Sequence, residues 1–158
     1  MNEVREKLRT HEISLVEAIE HIRDHAKERL TDFRLRWLQH ELNGYPPREN
    51  VLAESSLHEP EYRKLHGQYL AQLSTGEWVD VSDTNLGDYP GFLGVGIGVI
   101  EEVINNPGTE SIDLPLGEII KGTQFRLRVT RAQLKNIDES VRNRLVDLID
   151  EISAETPS

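Results

Sequence analysis

The chain has 158 residues and no cysteine, which suits one domain and excludes disulfides and thiolate metal sites. Its formal charge is −10, and the acid is concentrated: residues 51–122 hold 12 acidic and 3 basic side chains, against 10 and 9 in residues 1–50 and 6 of each in residues 123–158. A nucleic-acid coat over the whole surface is thereby disfavoured, because phosphates would be repelled from the central region.

The opening MNEVREKLRT is charged and leads into no apolar run, so it does not read as a secretory signal. The longest low-charge stretch, Leu93–Ile100, is far too short to cross a bilayer and contains three glycines. The expected location is the cytoplasm, with no membrane partner.

Residues 2–10 predict a short helix. Ser14-Leu15-Val16-Glu17 has the form of a capping box, in which Glu17 reaches back to the serine N–H. The stripe Leu15, Ile19, Ile22 and Ala26 then predicts a helix to about Leu30. Thr31 is a candidate N-cap for a second helix, with Phe33, Leu35, Trp37, Leu38 and Leu42 on its apolar face. Asn43-Gly44 predicts a left-handed cap, and Tyr45-Pro46-Pro47 cannot continue the helix. Residues 48–60 read as an irregular connection. From Tyr62 the period changes to two: Leu65, Gly67, Tyr69, Ala71 and Leu73 alternate with polar residues. Ser74-Thr75-Gly76 supplies a turn and Trp78–Val81 the return strand. Residues 83–90 read as loop. Gly94–Ile104 predicts a helix with a glycine-rich first half, although each glycine costs roughly 1 kcal/mol relative to alanine. Ile112–Leu116 and Gln124–Val129 predict strands. Ile137, Val141, Leu145, Leu148, Ile149 and Ile152 then line one side of a long amphipathic C-terminal helix, with Arg142, Arg144, Asp147 and Asp150 largely off it. With neither repeat nor linker, the whole chain, residues 1–158, reads as one α+β domain. It combines an N-terminal helical pair, a small antiparallel sheet built from a hairpin and a later strand, and a long final helix.

Several constellations bear on chemistry. His21 and His25 are spaced i, i+4 with Glu17 and Glu28 one turn to either side, which is metal-ligand spacing. Ile22 stands where the zincin pattern has glutamate and no third ligand is evident, so the pair reads as a solvated flank and no metal is expected. The glycines from Gly91 to Gly98 lack a Gly-Lys-Ser/Thr ending and are surrounded by acid, which reads as close helix packing rather than a phosphate loop. Arg126 and Arg128 share a strand face, Arg131 and Lys135 follow, and Arg142 and Arg144 lie on the next helix. Arg126, Arg128, Arg131 and Arg142 make a candidate nucleic-acid patch; the competing reading pairs these arginines with the acidic middle of the chain. Glu41, His40 and Arg63 could meet near a helix end, and the structural reading of Glu41 and Arg63 is a buried pair fixing helix to hairpin. No nucleophile elbow, Ser-His-Asp pattern or carboxylate pair stands out, so the residues name neither a reaction nor a cofactor.

The order of segments is distinctive. A capped helix is followed by Trp37-x-x-x-Glu41-Leu42-Asn43-Gly44-Tyr45, then Glu61-Tyr62-Arg63 leading into a strand, and Val141-Arg142-Asn143-Arg144-Leu145 on the last helix. Over about residues 3–152 this resembles the AbiTii domain of bacterial abortive-infection proteins. It departs from that pattern in the long connection at 48–60 and in the glycine-dense start of the fourth helix. The resemblance implies a role in defence against phage and marks Trp37, Glu41, Tyr45, Tyr62, Arg63, Glu101, Arg142 and Arg144 as family-pattern positions, without assigning them a reaction. Lacking a reaction motif, the chain is expected to bind a protein partner or assemble with itself. The alternatives are a toxin or effector enzyme acting on nucleic acid, or a non-catalytic nucleic-acid-binding domain.

Overall fold

The computed structural model describes residues 1–45, 60–81, 91–106, 108, 110–120 and 123–155. Five helices are described: α1 (Asn2–Arg9), α2 (Leu15–Ala26), α3 (Asp32–Asn43), α4 (Ile97–Ile104) and α5 (Arg131–Glu155). The strands are β1 (Lys64–Leu65), β2 (Gln68–Gln72), β3 (Trp78–Asp80), β4 (Gly91–Phe92), β5 (Ser111–Ile120) and β6 (Thr123–Thr130). The α+β architecture matches the sequence expectation. The connections expected at 48–60 and 83–90 lie outside the described residues, Pro60 excepted.

The helix starts follow their caps. Ser14 Oγ accepts from Glu17 N at 3.0 Å, and its hydroxyl donates to the Glu17 carboxylate at 3.2 Å. The box thus closes on the serine hydroxyl instead of the serine N–H. Thr31 Oγ1 accepts from Arg34 N at 3.2 Å and starts α3. Helix α2 ends at Ala26, before the expected Leu30, and a 3₁₀ turn, Lys27–Arg29, follows. On α3, Trp37 and Leu38 are buried, but Phe33 in the first turn is 49% exposed, contrary to its expected place on the apolar face.

Four strands form an antiparallel sheet in the order β3-β2-β6-β5. The β2–β3 hairpin pairs Leu70 with Asp80 and Gln72 with Trp78, as its period and turn residues imply. Leu65 is not part of it: β1 pairs with β4 in a separate two-stranded ribbon, Lys64 opposite Phe92. Strand β5 is longer than expected, running to Ile120 with a register irregularity between Pro115 and Ile119. A proline lacks a backbone donor, and β5 tolerates one because it is an edge strand.

Tyr69, Ala71, Leu114, Phe125, Leu127 and Val129 are buried with the helices in one core. Helix α5 begins directly after β6 and packs against α1, α2 and α4. Its buried stripe is the expected one, extended by Leu134. Arg142, expected off that stripe, is only 6% exposed because α1 lies over it. No helix among the described residues is long and apolar enough to cross a membrane.

The glycine-rich segment joins α3 to α4 closely, but not as helix. Helix α4 starts only at Ile97, with Gly96 as its N-cap. A Cβ on Gly96 would sit 2.7 Å from Leu42 O, a backbone atom that cannot swing away. Gly44 has φ +94° and ψ 157°, an extended left-handed geometry instead of the expected αL cap, and it turns Tyr45 N–H onto Gly94 O at 2.7 Å. Two substitutions separate packing from helix propensity. Gly96→Ala is expected to lower stability by about 1–3 kcal/mol in urea unfolding, because backbone must move. Gly98→Ala adds a Cβ that meets only a Val16 methyl at 3.2 Å, and its better helix propensity, worth roughly 1 kcal/mol, leaves stability nearly unchanged.

Candidate functional site

Trp37 and Glu41 are one turn apart on α3, and Gly44 turns Tyr45 back towards them. Tyr62 and Arg63 come from the 3₁₀ turn Glu61–Arg63, which leads into β1. These five residues form one network. Arg63 Nη2 donates to Glu41 Oε1 at 2.6 Å and Arg63 Nε to Glu41 Oε2 at 3.0 Å, a two-point ion pair with both side chains fully buried. Tyr45 and Tyr62 hydroxyls each donate to Glu41 Oε2 at 2.6 Å. Trp37 Nε1 donates to the Tyr62 oxygen at 2.9 Å. Arg63 Nη1 donates to Leu93 O at 2.8 Å and Val95 O at 2.6 Å. The Arg63 guanidinium also lies 5.0 Å from the Tyr45 ring, which meets Phe92 edge-on at 5.2 Å.

Two buried charges are tolerated here because each is paired and almost every lone pair and proton is used. Burial pushes both tyrosine hydroxyls well above their ordinary value, and the Glu41 charge pushes them further, so both remain donors. Burial works against the Arg63 charge, but Glu41 more than offsets it and holds Arg63 above its ordinary value. The expected Arg–Glu pair is therefore present. His40 is not part of it; its ring packs against Tyr45 at 5.0 Å. With four hydrogen bonds accepted and its side chain fully buried, the Glu41 carboxylate is poorly placed to act as base or metal ligand.

The other three family-pattern positions are placed on helix ends and on Trp37. Glu101 accepts from Leu15 N at 2.9 Å and Val16 N at 3.3 Å, capping α2 from across the chain. Its burial raises its pKa despite those bonds. Arg142 Nη1 donates to Leu8 O at 3.0 Å, capping α1, and Nη2 to Asp138 at 3.3 Å. Arg144 stacks over the Trp37 ring at 4.5 Å.

The candidate nucleic-acid arginines do not assemble into one patch. Arg126 and Arg128 do share the sheet face away from the core. There Arg126 lies 4.2 Å over the Trp78 ring, while Arg128 grips Asp113 at 2.7 and 3.1 Å. Arg131 donates to Ile104 O at the end of α4, and Arg142 is buried on the helical side. Pairing with the acidic middle of the chain holds for Arg128; the carboxylate beside Arg142 is on its own helix. His21 and His25 stack at 4.1 Å, with His25 Nδ1 3.0 Å from His21 O.

Periodicity did not reveal the open cleft where α2, α3 and α4 meet. Its volume is about 720 Å³, and Val16, Leu42, Val99, Asn43, Glu101 and Glu102 are among its lining. The glycine-dense start of α4 is the sequence signal for it, since those glycines let the three helices approach.

The buried network yields two expectations. Arg63→Met and Glu41→Gln each strand a buried charge or carbonyls, and each should cost about 3–5 kcal/mol in urea unfolding. Glu41→Leu combined with Arg63→Met should be no worse than either single change. The tyrosines give a pH signature. Their folded pKa values lie above the unfolded value of about 10, so the unfolded chain releases protons first as pH rises. Their stabilising contribution is complete below about pH 10 and is lost on going above it. Tyr45→Phe/Tyr62→Phe should flatten the fall in stability between pH 9 and 11 seen by urea titration.

The AbiTii family model matches residues 26–158, starting at the last residue of α2 rather than near residue 3 as the resemblance implied. Neither a curated protein nor a solved structure matches the chain. The matched region contains the whole Trp37–Glu41–Tyr45–Tyr62–Arg63 network together with Glu101, Arg142 and Arg144. The chain belongs to the AbiTii family, which points to abortive-infection defence against phage.

Proposed function

We propose that this AbiTii protein acts in phage defence in the cytoplasm by docking a protein partner, not by catalysis. One observation carries the reading: the side chains that make the family pattern hold the fold, with Glu41 and Arg63 fully buried and bonded to each other. Reacting atoms must be reachable, and the Glu41–Arg63 pair at the centre of this network is not. The arginines proposed for phosphate contact are engaged within the chain, as described above.

The docking surface is the α2–α3–α4 cleft. Val99 is 43% exposed at its edge, Val16 and Leu42 supply apolar lining, and the exposed Glu102 supplies acid, Glu101 being engaged on the N–H groups of Leu15 and Val16. Apolar side chains beside an exposed carboxylate suit a segment that presents an aliphatic side chain flanked by lysine or arginine. The net charge of −10 draws such a segment in.

Phage plaque assays with the full chain test this. Val99→Arg should reduce protection tenfold or more with an unchanged Tm, whereas Arg126→Ala/Arg128→Ala should protect fully. Light scattering on the parent and on Val99→Arg shows whether a second copy occupies the cleft. If the arginine variant loses protection and Val99→Arg keeps it, the nucleic-acid reading replaces this one.

A further inference from the structure

The turn between α1 and α2 contains an unusual residue. His11 has φ +61°, the one positive-φ non-glycine among the described residues. It sits in a Schellman-type helix ending: Glu12 N–H donates to Lys7 O at 2.8 Å and His11 N–H to Leu8 O at 3.4 Å. Glycine is the usual occupant of that position, since other residues are strained there. The histidine placed there directs its imidazole at α5, where Nε2 lies 3.4 Å from Glu139 Oε1. Asp138 stands beside it, and the donor atoms of His11, Asp138 and Glu139 all lie within 4.8 Å of one another.

We propose that His11, Asp138 and Glu139 form a divalent transition-metal site, of the Zn²⁺ class, that pins the α1–α2 turn to α5. One imidazole and two carboxylates are suitable donors for such an ion, while Ca²⁺ and Mg²⁺ prefer an all-oxygen shell. Donors in a tetrahedral site are about 3.3 Å apart, so small rotamer changes bring these three into range. The His11 and Glu139 side chains are about half exposed, and water can complete the shell. Arg142 holds Asp138 Oδ1 at 3.3 Å. That bond orients the carboxylate in the manner of an outer-shell partner and leaves Oδ2 to coordinate. Its positive charge weakens the attraction of the site for a cation.

The test uses the metal-free full chain, titrated with Zn²⁺ by calorimetry and with Co²⁺ by visible absorption. The stacked pair His21 and His25 also has metal spacing, so His21→Ala/His25→Ala serves as the reference background. One Zn²⁺ per chain should bind in parent and reference alike. Glu139→Gln should weaken binding at least tenfold, and His11→Gly should abolish both binding and the rise in Tm that Zn²⁺ produces. Glycine is unstrained at this φ, so metal-free His11→Gly should melt no lower than the parent, and loss of binding cannot be blamed on unfolding. Binding that survives His11→Gly, binding that disappears in His21→Ala/His25→Ala, or no binding at sub-millimolar Zn²⁺ would each overturn the site and reduce His11 and Glu139 to a surface ion pair.

Discussion

The rest of the structure depends on the desolvated contact between Glu41 and Arg63. Neither charge can be left alone in the interior, so the two must meet, and their meeting fixes the chain around them. Arg63 carries the constraint outward. Its backbone O accepts from Leu93 N, and its guanidinium holds the carbonyls of Leu93 and Val95. Tyr45 N, just past the end of the helix that carries Glu41, holds Gly94 O between them. The segment 93–95 is thus held from both sides. Its position sets where α4 begins, and the start of α4 shapes the cleft.

Charged residues elsewhere in this protein serve helix ends. Glu101 lies against the N–H groups that open α2, while Arg142 and Arg131 lie against the carbonyls that close α1 and α4. Each sign matches the partial charge of the terminus it covers. These are long-range caps, reaching across the core from another element. They engage the guanidinium groups of Arg131 and Arg142 within the chain. Arg142 also has a buried Nε without a protein partner, a cost consistent with its main role as a cap on α1.

Much of the fold was legible in the sequence because it rests on local patterns. The stripes of α2 and α5 and the caps Ser14 and Thr31 depend on nearest neighbours along the chain, and each is found where the pattern puts it. The failures are non-local. Period two assigned Leu65 to the hairpin, but pairing with β4 claims it for another ribbon. Valine and isoleucine spacing extended α4 back to Gly94, but contact with the end of α3 holds those residues out of the helix. Arg142 lay off the apolar stripe of α5, yet α1 covers it, and spacing along one helix says nothing of what lies over its flank.

The site was legible to the same extent. Glu41 and Arg63 were readable as a buried pair fixing helix to hairpin, but nothing along the chain required them to meet. The tyrosine and tryptophan donors that complete the shell depend on the φ of Gly44 and on a 3₁₀ turn, which no composition rule supplies. The cluster at His11 was hidden more fully. His11 is far along the chain from Asp138 and Glu139, and the geometry depends on one left-handed residue.

The saturation of Glu41 also restricts how this family can drift. A lineage that loses either charge by a single substitution passes through a form with an uncompensated ion in its interior, and that form carries the stability cost of the stranded charge until the second change arrives. Replacement at the two positions must therefore be concerted, or be preceded by strengthening elsewhere. Glutamate and arginine at these positions should persist or vanish together in AbiTii sequences, whatever each protein has come to recognise on its surface.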